Sequence, residues 1–202
     1  MITDLDGRQK LIALLQLAYS GELAAAFAYR GHWHSVTATD ERETIRTVEA
    51  DEWRHRRHVG EMLSSLGSGP SRRRERRATI IGRTLGLLCH LMGWLAPMYG
   101  AGKLESRNVR EYETAARHAR DCGHVEFIEC LLEMAEVEWD HENYFRARVL
   151  SHWLGRRLPL WPLPPPKQTI RLAYKNESGR ARPEAQLPAS AEPATPLFDN
   201  QS

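Results

Sequence analysis

The chain is short of cysteine, of net charge and of uninterrupted apolar runs, and each shortage closes off a class of protein. Its three cysteines, Cys89, Cys122 and Cys130, form no CxxC pair and no even pairing pattern. They fit a reducing compartment and leave no rubredoxin-type knuckle. A formal net charge of +2 makes no global demand for nucleic acid, and no nucleic-acid partner is expected. The start, Met1-Ile2-Thr3-Asp4, has neither the basic region nor the apolar core of a signal peptide, so the cytoplasm is the expected location. The most apolar stretch, Thr79–Ala101, is broken by Arg83, His90, several glycines and Pro97, which argues against a membrane-spanning helix. With 42% hydrophobic and 27% charged residues in 202, the composition is that of one soluble domain plus spare chain.

What is present is a repeated pattern. Glu52-Trp53-Arg54-His55 and Glu138-Trp139-Asp140-His141 each contain Glu-x-x-His, and in both a Trp follows the Glu. Positions i and i+3 of a helix point the same way, so each pattern sets one carboxylate and one imidazole on a single face. One copy is weak evidence. Two copies gain weight when each follows a helix carrying its own inward-facing Glu.

Helical periodicity supplies those helices. The first is expected over Asp6–His34, with Leu11, Leu15, Ala18, Glu22, Ala25, Ala26 and Tyr29 on one stripe. A Glu among Ala and Leu is costly to bury without a neutralising cation. After a loop at Ser35–Thr39, Asp40 and Glu43 resemble a capping box opening a second helix that ends at Leu66, before Gly67-Ser68-Gly69-Pro70. Its stripe is Ile45, Val48, Glu52, His55, Val59 and Met62. The basic run Arg72–Arg77 and the apolar Thr79–Ala101 then read as a long crossover within 67–101. Its arginines and Trp94 suit contact with anionic headgroups at a membrane surface. A third helix is expected over Lys103–Asp121, stopped by Gly123. The fourth runs from His124 to Trp153 with Phe127, Leu131, Met134, Glu138, His141 and Phe145 inward, and Cys130 beside them as core filler. From Leu158 the chain changes character: nine of its 11 prolines lie between Pro159 and Pro196. Leu158–Pro166 is expected extended against the helices, and the rest of a 158–202 tail disordered.

The third helix offers Glu105, Glu111 and Glu113. In an antiparallel pair, residues at one height are equidistant from the turn. Glu22 and Glu52 have their midpoint at Thr37, inside the first loop; Glu105 and Glu138 have theirs between Asp121 and Cys122, beside Gly123. Glu111 would move it to about His124. Glu105 also shares a face with Ala101, Val109, Tyr112, Ala116 and Ala119, and Tyr112 follows it at the interval by which Tyr29 follows Glu22. The expected metal site is therefore Glu22, Glu52, His55, Glu105, Glu138 and His141, with Glu111 as the alternative to Glu105. Tyr29 and Tyr112 stand near the ligands; His32, His34, His58, His118 and His124 are expected mostly to be solvated or to stand just behind the ligands, and none is expected to bind metal. Four carboxylates and two imidazoles suit two iron ions, with manganese as an alternative, and leave coordination positions for O2.

On these residues the chain resembles the ferritin-like di-iron carboxylate superfamily over Leu11–Trp153, and within it is most similar to the demethoxyubiquinone hydroxylase family. That family also has a ligand Glu followed at the same interval by Tyr and then Gly, as in Glu22, Tyr29 and Gly31. It departs at Leu23, where the family has Tyr, and at Arg30-Gly31-His32. The resemblance implies an all-α, ferritin-like antiparallel four-helix bundle. It makes Glu22 and Glu105 terminal carboxylates, Glu52 and Glu138 bridging ones, and His55 and His141 terminal imidazoles. The implied activity is that of an O2-activating oxidoreductase, a quinone-ring hydroxylase-like monooxygenase. Its electrons would come from a reductase or from NADH through the quinone itself. It implies a protein peripheral on the inner face of the membrane through Arg72–Ala101, and allows a homodimer. Rubrerythrin- or ferritin-like handling of peroxide or iron is the alternative within the superfamily, and a helical interaction protein without metal the alternative outside it.

Overall fold

The computed structural model describes residues 2–180, and every regular element among them is helical. Six α-helices follow in order: α1 Ile2–Ser35, α2 Thr39–Ser65, α3 Arg72–Cys89, α4 Leu95–Asp121, α5 Ile128–Ser151 and α6 Lys167–Arg180. Short 3-10 turns at Val125–Phe127 and Gly155–Arg157 flank α5. The short connections at 36–38 and 122–127 turn α2 back along α1 and α5 back along α4, and α1 also packs on α3 and α4. At the second turn Gly123 has φ 79°, a left-handed value that a side chain would strain.

The core is two apolar plugs with a charged layer between them. Leu11, Leu15, Val59, Met62, Val109, Leu131 and Met134 fill one; Ala25, Ile45, Val48, Met98, Phe145 and Val149 fill the other. On each of α1, α2, α4 and α5 the chain passes from one plug, through its acidic residue, to the other. Each acidic residue is thereby held in a low-dielectric slot by its own helix.

Several boundaries differ from expectation. α2 begins at Thr39 with Ala38 as N-cap and no side-chain cap bond, so Asp40 sits in the first turn, where its charge faces the helix dipole. The apolar crossover is not one segment. Arg72–Cys89 forms α3, Gly93 turns the chain at φ 71°, and α4 begins at Leu95, eight residues before the expected Lys103. Pro97 does not prevent this, because it lies in the first turn, whose N–H groups have no helical acceptor. Small residues let α3 approach α1: a Cβ on Gly31 would lie 2.2 Å from the Gly86 carbonyl oxygen, and one on Gly82 would lie 2.5 Å from that of Ala24. α1 is long and apolar enough, by length and composition, to cross a membrane. Here it packs against three helices and carries Glu22 inward.

In the tail the difference begins at Lys167. Residues 158–166 form no regular element and lie as a strap on α4 and α5. Trp161 is buried and its Nε1 donates to Glu142 Oε1 at 2.6 Å. Arg146 donates to the same carboxylate and to the Trp161 carbonyl. Trp139, the residue after Glu138, donates to the Pro165 carbonyl at 2.9 Å. Residues 167–180, expected to be disordered, form α6. Ile170 is buried there, and Arg171 bridges Glu129 and Glu136. The proline-free stretch is long enough for four turns of helix, which the average composition of the tail hides. The expected disorder of 181–202 lies outside the described residues.

Candidate metal centre

All six expected ligands meet at mid-height between the two plugs. Glu22, Glu52, His55 and Glu138 form one group whose donor atoms lie within 4.8 Å of one another; Glu52, Glu105, Glu138 and His141 form a second. Glu52 and Glu138 belong to both groups, one from each Glu-x-x-His. Glu52, Glu105 and Glu138 have no solvent exposure at all. Glu111, the alternative to Glu105, instead makes an i,i+4 ion pair with Arg107 at the surface.

The arrangement is electrically unsatisfied. Six buried side-chain atoms here have no hydrogen-bond partner: Glu22 Oε2, both oxygens of Glu52, His55 Nε2, Glu138 Oε2 and His141 Nδ1. Leaving such atoms unpaired costs free energy, and natural cores rarely do it without a ligand. Burial, then repulsion from Glu22 and Glu138, holds the Glu52 carboxyl well above its usual range; burial and Glu138 do the same to Glu105. Glu22 is also raised, chiefly by burial. Burial also opposes the charge on Glu138, but the hydrogen bonds directed at it by Glu105, His141 and His55 outweigh that and hold it low. Burial opposes a proton on His141, yet its contacts with Asp51 and Glu138 push it up to about 9. Protons thus partly stand in for positive charge that four clustered carboxylates need. A bound metal ion would supply that charge more completely, and the buried Glu and His groups could hold one.

Second contacts fix the donors. The Tyr29 hydroxyl donates to Glu105 Oε1 and the Tyr112 hydroxyl to Glu22 Oε1, so each tyrosine on α1 or α4 holds the carboxylate of the other helix. The equal Glu-to-Tyr intervals in the sequence are the trace of this reciprocal pair. Three further residues stand behind the donors, and the sequence singled out neither Asp51 nor Asn108 among them. Asp51 Oδ2 lies 3.0 Å from His141 Nε2, which leaves Nδ1 facing the carboxylates. Asn108 donates to Glu105 Oε2 at 3.0 Å. Beside Arg54, Asp51 reads in sequence as half of a surface i,i+3 ion pair, and it makes that pair too. Only the packing of α2 near α5 brings it to His141.

His32 is the third. Of the two places open to it, water or the layer behind the ligands, it takes the second: it is 2% exposed and stacked against Tyr29 and Phe145. Burial pushes its pKa down to about 4. The folded state then binds fewer protons than the unfolded one, so the stability from neutral His32 is complete above about pH 6.5 and is lost as the pH falls toward 4. His32→Phe should remove that dependence. Urea denaturation from pH 7.5 to 4 should show the parent losing up to roughly 3 kcal/mol more than the variant. Parallel curves would place the His32 proton elsewhere.

No family model, curated protein or solved structure matches this chain. Its function therefore rests on the site alone.

Proposed function

We propose that this protein is a two-metal carboxylate oxidoreductase that activates O2, with iron as the favoured metal and an apolar, quinone-like molecule as substrate. The observation that supports it most is the closed six-donor set, in which the two donor groups share Glu52 and Glu138, one from each Glu-x-x-His. On this reading the helices form a ferritin-like bundle, α1–α2 and α4–α5 being its two antiparallel pairs and α3 part of the crossover between them. Iron bound there would supply electrons and open coordination positions for reducing O2. Glu22 with His55 and Glu105 with His141 would hold the two ends, and Glu52 and Glu138 the middle. Tyr29 and Tyr112 keep the end carboxylates from swinging away.

An apolar chamber of about 340 Å3 supports the substrate class. Tyr29, His32, Leu85, Met92, Ala101 and Leu104 are among its walls, and Tyr29 is the residue that bonds Glu105. A molecule seated there lies one side chain from the donor set. The walls are almost all carbon, which favours a ring with little polar edge and keeps bulk water from the reacting face. Outside the chamber, Ile80, Leu87 and Leu91 are exposed, and Arg72–Arg77 occupy the first turns of α3. This is the composition of a surface that rests on anionic lipid, and it would place the protein peripherally on the cytoplasmic face.

Iron-loaded protein, reduced and mixed with a short-chain hydroquinone, should consume O2 and hydroxylate the ring. Stoichiometric iron without O2 uptake on any quinol would overturn the proposal. Liposome flotation separates out the surface. Replacing the arginines at 72, 73, 74, 76 and 77 with Gln should abolish binding to anionic vesicles, and undiminished binding by the variant removes the headgroup contact.

A further inference from the structure

The apolar chamber is a poor door for a hydrated cation, yet the donor set is closed on both sides by the two plugs. A different opening reaches it. Between α2 and α5, which touch little, lies a groove of about 580 Å3. Asp40, Glu43, Thr44, Thr47, Val48 and Asp51 line it at one-face spacing on α2; Val137, Asp140, His141 and Tyr144 face them from α5. No Lys or Arg is among the lining residues. Lys167 and Arg54 reach Asp140 and Asp51 from beyond it, while Asp40 and Glu43 are exposed.

The inner end of the groove is what distinguishes it from an ordinary acidic surface. It ends on Asp51 and His141, and the His141 side chain is only 8% exposed. Asp51 holds its Nε2, and its unpartnered Nδ1 lies 3.8 Å from Glu52 Oε1 and 3.6 Å from Glu138 Oε2. One imidazole thus separates the open groove from the shared carboxylates. Carboxylates and hydroxyls along the way can replace a cation's water ligands one at a time. The outer part of the groove, where Asp40, Glu43 and Asp140 are exposed, carries negative charge, which raises the local cation concentration and the association rate.

We propose that the α2–α5 groove is the entry route for the metal ions, with Asp40, Glu43 and Asp140 gathering the cation and the Asp51–His141 pair passing it inward. This rests on the reading of the site as a metal centre, and it separates the paths: cations enter between α2 and α5, the apolar substrate between α1, α3 and α4.

The test is stopped-flow loading of the full-length, metal-free protein with Co(II), followed by the cobalt absorption bands, which needs no turnover. The triple variant Asp40→Asn, Glu43→Gln, Asp140→Asn touches none of the six donors. It should load at least tenfold more slowly than the parent and reach the same final cobalt content. A control, Glu61→Gln with Glu126→Gln, removes exposed carboxylates elsewhere and should load at the parental rate. Raising the salt should slow the parent and leave the triple variant nearly unchanged. Equal rates for the triple variant and the control overturn the route while leaving the metal centre intact. Absence of bound cobalt in the parent itself overturns the metal centre, and the route with it.

Discussion

On the proposed two-metal reading, Glu138→Ala is expected to strip the protein of both ions at once. Protein purified after iron supplementation should contain about two irons per chain, as two-metal bundles of this ligand set do, and the variant should contain almost none. The reason lies in the sharing: Glu138 is a member of both donor groups, so its loss removes one ligand from each. It also leaves His55 without the Glu138 carboxylate that its Nδ1 meets at 2.9 Å. Elemental mass spectrometry on parent, Glu138→Ala, Glu105→Ala and Glu111→Ala, with helicity checked by circular dichroism, reads the result. Glu105→Ala should lose metal, whereas Glu111→Ala should keep it, because Glu111 is paired with Arg107 away from the site. Full iron in Glu138→Ala, or none in the parent, would sink the assignment.

Glu52→Gln should do the opposite to fold and function: a more stable metal-free protein that no longer holds metal. Glu52 is fully buried, neither of its oxygens has a partner, and Glu22 and Glu138 repel it. An amide of nearly the same shape removes that repulsion. By comparison with other buried charged groups replaced by neutral ones, the gain should be on the order of 1–3 kcal/mol at neutral pH. The pH dependence gives a second reading of the same effect. The folded pKa of Glu52 is raised, so above the ordinary carboxyl value of 4.5 the folded state retains a proton that the unfolded state has released. Stability of the metal-free parent therefore falls as the pH rises from there, and Glu52→Gln should flatten that fall. Urea midpoints of chelator-treated parent and variant between pH 5 and 8 would show it. A variant less stable than the metal-free parent across this range would mean that Glu52 serves the fold. With metal present the order should reverse, since only the parent gains binding free energy.

These two results would separate what the carboxylates contribute to folding from what they contribute to binding. Buried ion pairs elsewhere in the chain give the contrast. Glu142 is as deeply buried as the donor set, but Arg146 and the Trp161 indole satisfy it, and it fixes the strap to α5. Glu49 is likewise answered by Arg30, Trp33 and Trp53. Among the described residues, only the donor set combines clustered carboxylates with unpartnered atoms.

Much of this was legible in the residues themselves. Helical period placed Glu22, Glu52, Glu105 and Glu138 inside apolar stripes, and such placement is expensive enough to need a reason. The i,i+3 spacing put His55 and His141 on the same faces as their glutamates, and equal distances from two turns chose Glu105 over Glu111. These are local rules, set by the geometry of one helix or of one tight antiparallel pair, and sequence contains all their terms. Tertiary packing decided the rest. No spacing relates Asp51 to His141, 90 residues apart, and the equal Glu-to-Tyr intervals do not say that each tyrosine meets the other helix's carboxylate. Nor does any local signal show that His32 is enclosed by Phe145, or that Gly31, Gly82 and Gly86 let α3 close against α1. Nor could average composition show α6, which is held by Ile170 and by Arg171 pairing with Glu129 and Glu136 on another helix. The six donors are a property of the sequence because each helix buries its own; the two grooves leading to them exist only where different helices fail to close, which depends on the whole assembly of helices at once.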